Sequence, residues 1–250
     1  MNWRRKLARR ALERQLAYQQ DKATHLRGHE AEVIAAMTKS SRRVRDLLES
    51  FQPIPPDARV IEVGSGAHGL IFWFDGGKQR VGIDPLAVDY GNLFPGWQRR
   101  AQTVAAAGES LPFRDRSFDV VLCDNVVDHA ESPSQIVREL VRILAPGGLL
   151  YFTVNVHHPL YGIAAGMHST WRAIGLPYEI GPFADHTTHL TLMGATELFQ
   201  NLPLQILSEK SSIDEARTVA RKRPPRHIGD RLKRVFFKNA LYEVIARSAL

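Results

Sequence analysis

Residues Val60–Gly69 read VIEVGSGAHG. A β-branched run, Val60-Ile61-Glu62-Val63, breaks off at Gly64-Ser65-Gly66, and Gly69 follows three residues later. Such a run reads as a buried strand, and the glycines at its end let the backbone turn sharply and approach a ligand closely. The spacing fits G-x-G-x-x-G, a turn that dinucleotide-binding folds also use. Glu62 narrows the choice. A carboxylate at the strand's end would repel a pyrophosphate and would suit a ligand carrying an ammonium and a sulfonium. The plainer alternative is a glycine-rich strand-to-helix turn that binds nothing.

Outward from this stretch, Gln79–Pro85 (QRVGIDP) reads as a second short strand ending at Asp84, twenty residues after Gly64. In a β-α-β unit an acid at that place accepts hydrogen bonds from both ribose hydroxyls, so Asp84 supports nucleoside binding without selecting the nucleoside. Leu111–Val121 (LPFRDRSFDVV) leads into a strand ending at Cys123-Asp124. Ser132-Pro133 opens a helix to about Leu144, with Ser132 as N-cap and Pro133 as first residue. Ile136, Val137, Leu140, Val141 and Leu144 mark its buried face. Leu144–Gly148 (LAPGG) closes that helix and turns into an apolar strand, Leu149–Val154. Leu204–Leu207 and Ala240–Ile245 are later strand candidates. Strands alternating with helices argue for an α/β, doubly wound, largely parallel sheet. Two helices precede it, over residues 2–20 and 30–51, and Pro53, Pro55 and Pro56 separate them from the first strand. The chain divides on this reading into an N-terminal helical extension, 1–52, and an α/β domain, 53–250.

These four stretches, in this order, resemble the class I S-adenosylmethionine (SAM)-dependent methyltransferases. The likeness is greatest to the group that includes the ubiquinone- and menaquinone-pathway methyltransferases, and it covers roughly residues 58–156. It implies SAM as cofactor and a Rossmann-like, mostly parallel seven-stranded sheet whose last strand is antiparallel. Glu62, Gly64, Ser65 and Gly66 match the motif that wraps the methionine end of the cofactor. Asp84, followed by Pro85, matches the ribose-binding acid. The family often places an Asp five residues before the Pro of LPF; here Ala107 stands there. The Gly108 amide and the Glu109 carboxylate are the remaining candidates for the adenine, although Glu109 also reads as a solvated loop acid. Asp124 and Asn125 lie where the fourth strand opens into the site, and Asp124 also reads as a cap of the next turn.

Residues Asn155–Leu192 do not belong to the standard core. They carry His157, His158, Tyr161, His168, Trp171, Tyr178, His186 and His189, but a single arginine, Arg172. Because they follow the fifth strand, whose end faces the crevice, they read as a cap over the methyl acceptor; an ordinary surface excursion is the alternative. A hydroxyl acceptor needs a base, and His129, His157, His158, His186 and His189 are the candidates, each equally readable as a structural hydrogen bonder. No carboxylate or cysteine pattern completes a metal site around these histidines. Neither an Asn/Asp-Pro-Pro-aromatic motif nor a cysteine pair for carbon-5 methylation of bases is present.

The chain has 250 residues and one cysteine, Cys123, which excludes an intramolecular disulfide. No apolar run reaches transmembrane length and the basic N-terminus has no apolar core segment, so a cytoplasmic setting is expected. The formal charge of +7 is unevenly spread: residues 1–50 sum to +6, 216–250 to +8, and 51–215 to −7. Basic ends either lie against the acidic middle or form a surface for nucleic acid or anionic lipid. The leading expectation is a SAM-dependent methyltransferase with a small-molecule acceptor, a hydroxyl among the candidates. Its rivals are a nucleic-acid methyltransferase using the basic termini, an NAD-dependent oxidoreductase, and a non-enzymatic binding module with a methyltransferase-like fold.

Overall fold

β1 (Arg59–Val63) shows the alternation that its sequence dictates. Ile61 and Val63 enter the apolar cluster on one face of the sheet and Val60 the cluster on the other, all nearly inaccessible. β1 pairs in parallel with β2 (Gln79–Ile83) on one side and β4 (Phe118–Asp124) on the other. β3 (Gln102–Val104) lies parallel beyond β2, and β5 (Leu144–Val156) parallel beyond β4. β7 (Ala240–Ser248) runs antiparallel to β5, and β6 (Leu204–Ser211) pairs antiparallel with β7 at the edge. The sheet order is β3-β2-β1-β4-β5-β7-β6. This is the doubly wound, mostly parallel seven-stranded sheet that was expected, with the last strand antiparallel. The computed structural model describes residues 3–159, 190–222 and 239–250, and among these the side chains of 3–11, His129 and Ala220 lie outside the description.

The chain steps from β1 outward to β3 in one direction and from β4 to β5 in the other. Their carboxyl ends therefore part at β1 and β4, and a doubly wound sheet opens its ligand crevice at such a point. One face is covered by α5 (Pro133–Ile143) through Ile136, Val137, Leu140 and Ile143. The other is covered by α2 (Glu30–Glu49) through Met37, Val44 and Leu48, and by Tyr90, Phe94 and Trp97 from the region of α3 (Ala87–Leu93) and α4 (Pro95–Gln98). α1 (Trp3–His25) touches α3. α6 (Leu192–Glu197) contacts β5, and α7 (Ile213–Lys222) contacts β7.

Three details depart from expectation. The crossover from β1 to β2 contains no α-helix, only a 3₁₀ turn at Leu70–Phe72. Phe72 and Phe74 are both fully buried at a spacing of two, which a helix cannot serve, and Gly76 and Gly77 follow with φ of 103° and 87°. α2 fills the place beside this turn, and the buried Ser41 hydroxyl donates to the Leu70 carbonyl at 3.0 Å. Ser132 occupies the N-cap position of α5 but makes no side-chain cap bond; its carbonyl accepts from Gln135 and Ile136 instead. α1 runs to His25, beyond the expected end at residue 20, and the three-residue β3 was not anticipated.

Candidate functional site

The glycine turn closes the crevice at the end of β1. Gly64 and Gly66 have φ of 77° and 52°, a region that side chains other than glycine's rarely adopt. The Gly64 and Ser65 amides both donate to the Ile83 carbonyl, at 2.7 and 2.8 Å, which folds the turn over the end of β2. Asp84 completes the bracing: its Oδ2 accepts from the Gly66 amide at 3.0 Å and its Oδ1 from the Leu86 amide at 2.8 Å. Burial raises its carboxyl above the usual range and those two amides oppose the rise. Each oxygen keeps a lone pair for a further donor. Pro85 is exposed beside it, and the Ser65 hydroxyl is turned under the turn against Gly82. A Cβ at Gly64 would meet Val126 Cγ2 at 2.3 Å, so the exit of β4 packs directly onto the turn, whereas a Cβ at Gly66 would meet nothing nearer than 4.0 Å. The open side of the turn is thus at Gly66.

Glu62 behaves differently from a charged wall. It is 2% exposed, and its Oε2 accepts from the Ile71 amide at 2.9 Å, fastening the 3₁₀ turn. Burial first, with the Asp124 and Asp84 charges adding to it, pushes its pKa up to about 8 against the pull of backbone amides. Glu62 therefore keeps its proton at neutral pH in the absence of a cation. Its folded pKa exceeds its ordinary value, so the unfolded chain releases this proton first. Stability should be full below about pH 4.5 and fall through the window up to about 8, at roughly 1.4 kcal/mol per pH unit from this group. Glu62→Gln should flatten that decline. Urea midpoints at pH 5, 6, 7 and 8 check this; parallel profiles for parent and variant would show that Glu62 is not the source.

Asp124 and Asn125 are gripped by the end of β5. The Thr153 hydroxyl donates to Asp124 Oδ1. Burial raises the Asp124 carboxyl, and that hydroxyl opposes it. Asn125 adopts φ of 57°, its amide donates to the Thr153 carbonyl at 3.0 Å, and its Oδ1 accepts from the Asn155 amide and side chain at 3.1 and 2.6 Å. On the expected adenine side, Gly108 lies flat: a Cβ there would sit 3.1 Å from both Ile136 Cδ1 and Val63 Cγ1. Glu109 Oε1 accepts from the Glu131 amide at 3.0 Å, so it braces the loop before α5. Cys123 is buried and its thiol is raised by burial, as befits a packing residue.

Of the candidate bases, His157 is buried just beyond β5 and His158 half-buried beside it. His129 ends a 3₁₀ turn after β4, with its side chain outside the description. His186 and His189 lie outside the described residues, as does the expected cap except at its two ends. Those ends meet, since the His157 amide donates to the Leu190 carbonyl at 2.8 Å. No group of three potential metal ligands occurs among the described residues, and no described helix is long and apolar enough to cross a membrane.

Sequence reasoning missed the support beneath the turn. Trp97 Nε1 donates to the Ala67 carbonyl at 2.8 Å, and Gln98 Nε2 donates to the Gly66 and Ala67 carbonyls at 3.0 and 3.1 Å. His68, inside the glycine-rich stretch itself, rests against Phe94 and Trp97 with ring centroids 4.9 and 5.5 Å away. Its place between Ala67 and Gly69 was the available signal.

Residues 61–152 match the family described as "Methyltransferase domain". An uncharacterised methyltransferase of Mycobacterium sp. (strain KMS) is 31% identical over 150 residues, covering 59% of this chain and 50% of that protein. One from Mycobacterium leprae (strain Br4923) is 33% identical over 116 residues, covering 45% and 43%. The chain thus spans half or less of these relatives. Among solved structures, a geranyl diphosphate methyltransferase in complex with SAM superposes with a TM-score of 0.59 at 16% identity, covering 89% of this chain and 91% of that one. The cyclase SpnF does so with a TM-score of 0.55 at 18% identity, covering 83% and 80%. Sheet order and superposition together give the chain a methyltransferase-like fold, and residues 61–152 are similar to the methyltransferase domain family.

Proposed function

We propose that this protein transfers the methyl group of SAM to a small-molecule acceptor, with a hydroxyl as the first acceptor class to try. One observation carries the reading: at the switch point, a left-handed Gly64–Gly66 turn stands open beside the half-free carboxylate of Asp84. Gly66 and Asp84 would hold the amino-acid and ribose parts of the cofactor, and Gly108 with Glu109 would border its base. The bound cofactor would supply a methyl group on a sulfonium, and in-line approach of the acceptor needs orientation and exclusion of water. A hydroxyl acceptor would lose its proton to a histidine, and His157 or His158, at the mouth of β5, is placed to be tried first. The motif likeness to quinone-pathway enzymes makes phenols the natural starting panel.

We divide the chain into the helical extension 1–52 and the methyltransferase domain 53–250, with 155–192 as a cap. The hydrogen bond between His157 and Leu190 supports that division, because the segment leaves and re-enters at one place. Replacing residues 160–189 with a short Gly/Ser linker should leave SAM binding within about twofold and abolish transfer. Loss of folding in that variant would mean that the segment is core. A nucleic-acid acceptor would instead declare itself by steeply salt-dependent retention on heparin that is lost with residues 1–28. A binding module without activity would bind SAM and turn over no acceptor.

A further inference from the structure

The sheet changes chemistry one step from its carboxyl edge. On the face that α2 covers, Leu122, Tyr151 and Ile245 stand in one register row, all buried. The next row toward the crevice is Asp124, Thr153 and Glu243, on β4, β5 and β7. Side chains two apart along a strand share a face, so this polar row continues the apolar one. Thr153, in the middle, is fully buried and spent: its hydroxyl donates to Asp124 Oδ1 and accepts the Asn125 amide at 3.0 Å. Glu243 is fixed at the far end. Its Oε2 accepts from Arg43 Nη1 and Nη2, at 3.2 and 3.3 Å, and from the Tyr151 hydroxyl at 3.2 Å. Arg43 Nη2 also donates to that hydroxyl, at 2.8 Å, so the tyrosine both donates and accepts. Arg43 stands on α2, and the helical extension thereby reaches across the sheet to set a side chain on β7.

Each carboxylate keeps one oxygen in reserve. Asp124 Oδ2 and Glu243 Oε1 meet no donor among the described residues, and both side chains are only part-buried. Strand spacing sets the two residues roughly 10 Å apart at Cα, a gap that a small head group can span. Two cations flank the row from its outer side: Arg43, committed to Oε2, and the exposed Lys210, next to Glu243 in register on the edge strand. Free carboxylate oxygens take N–H and O–H donors in charge-assisted bonds and repel another acid. We propose that Asp124 and Glu243 form the head-group site for the methyl acceptor, that this site takes a hydrogen-bond donor, an amine or a hydroxyl, and refuses an acid, and that Arg43 is the positioning residue for Glu243. The inference rests on the methyltransferase reading only for the fate of the bound molecule; the chemistry of the row stands without it.

Saturation-transfer NMR on the full chain, with and without S-adenosylhomocysteine, reads the site through probes of one shape: 4-hydroxybenzylamine, 4-hydroxybenzyl alcohol and 4-hydroxybenzoate. The amine should bind more tightly than the alcohol, and the acid at least about tenfold more weakly than the amine. Glu243→Gln should weaken the amine about tenfold and the alcohol less, and bring the acid closer to both. Arg43→Met should weaken amine and alcohol alike, because Glu243 loses both guanidinium bonds, and Arg43→Lys should recover part of the loss. A purely structural role for the cluster would lower the urea midpoints of these variants and leave the order of the probes as in the parent. The proposal is overturned if the acid binds as well as the amine, if no probe binds, or if Glu243→Gln keeps the parent's order and spacing of affinities. S-adenosylhomocysteine is also titrated alone: its failure to bind would sink the methyltransferase reading, while the probes still read the row in the free protein.

Discussion

Asp84→Ala is expected to weaken SAM binding by about a hundredfold or more. The carboxylate would accept two ribose hydroxyl bonds, and each bond to a charged acceptor is worth about 1.5–3 kcal/mol. The same side chain accepts the Gly66 and Leu86 amides, so its removal also frees the glycine turn from β2. Both losses act in one direction. Asp84→Asn keeps one acceptor oxygen and should fall between parent and alanine variant. Calorimetric titration with SAM measures both, and an unchanged affinity in Asp84→Ala would remove Asp84 from the ribose site.

The largest effect on stability should come from Gly69→Ala. Its Cβ would lie 2.4 Å from the Ser65 carbonyl oxygen and 2.5 Å from Glu62 Oε2. The first is backbone and the second is a buried side chain held by the Ile71 amide, so neither can yield cheaply. Overpacking of this kind costs about 1–3 kcal/mol, and disturbing the Glu62 bond adds to it. Gly91→Ala is the control. It lies within α3 with nothing within 4 Å of its Cβ, so it should be neutral or slightly stabilising. Urea denaturation of the two variants should separate them clearly; equal midpoints would show that the turn has slack.

Glycine spacing and apolar runs were enough to read β1, β2, β4, β5 and α5, because those signals are local; the antiparallel direction of the last strand came only from the family resemblance. Asp84 and the Gly64–Gly66 turn were legible for the same reason. Other features depend on distant partners. Glu62 looked like a charged wall, but the Ile71 amide and its burial make it a neutral fastener in this state. Glu109 looked like a ligand or a solvated acid, and it caps the Glu131 amide. The crossover helix was expected from the fold pattern; the inward Phe72 and Phe74 favoured a 3₁₀ turn with α2 beside it.

The central claim is that the crevice at the end of β1 takes SAM rather than a dinucleotide. Titrating the full chain with SAM and, separately, with NADH in one calorimetric series tests it most directly. Saturable one-to-one binding of SAM that Asp84→Ala weakens is expected, with no heat from NADH beyond dilution. Saturable binding of NADH, with SAM inert, would contradict it.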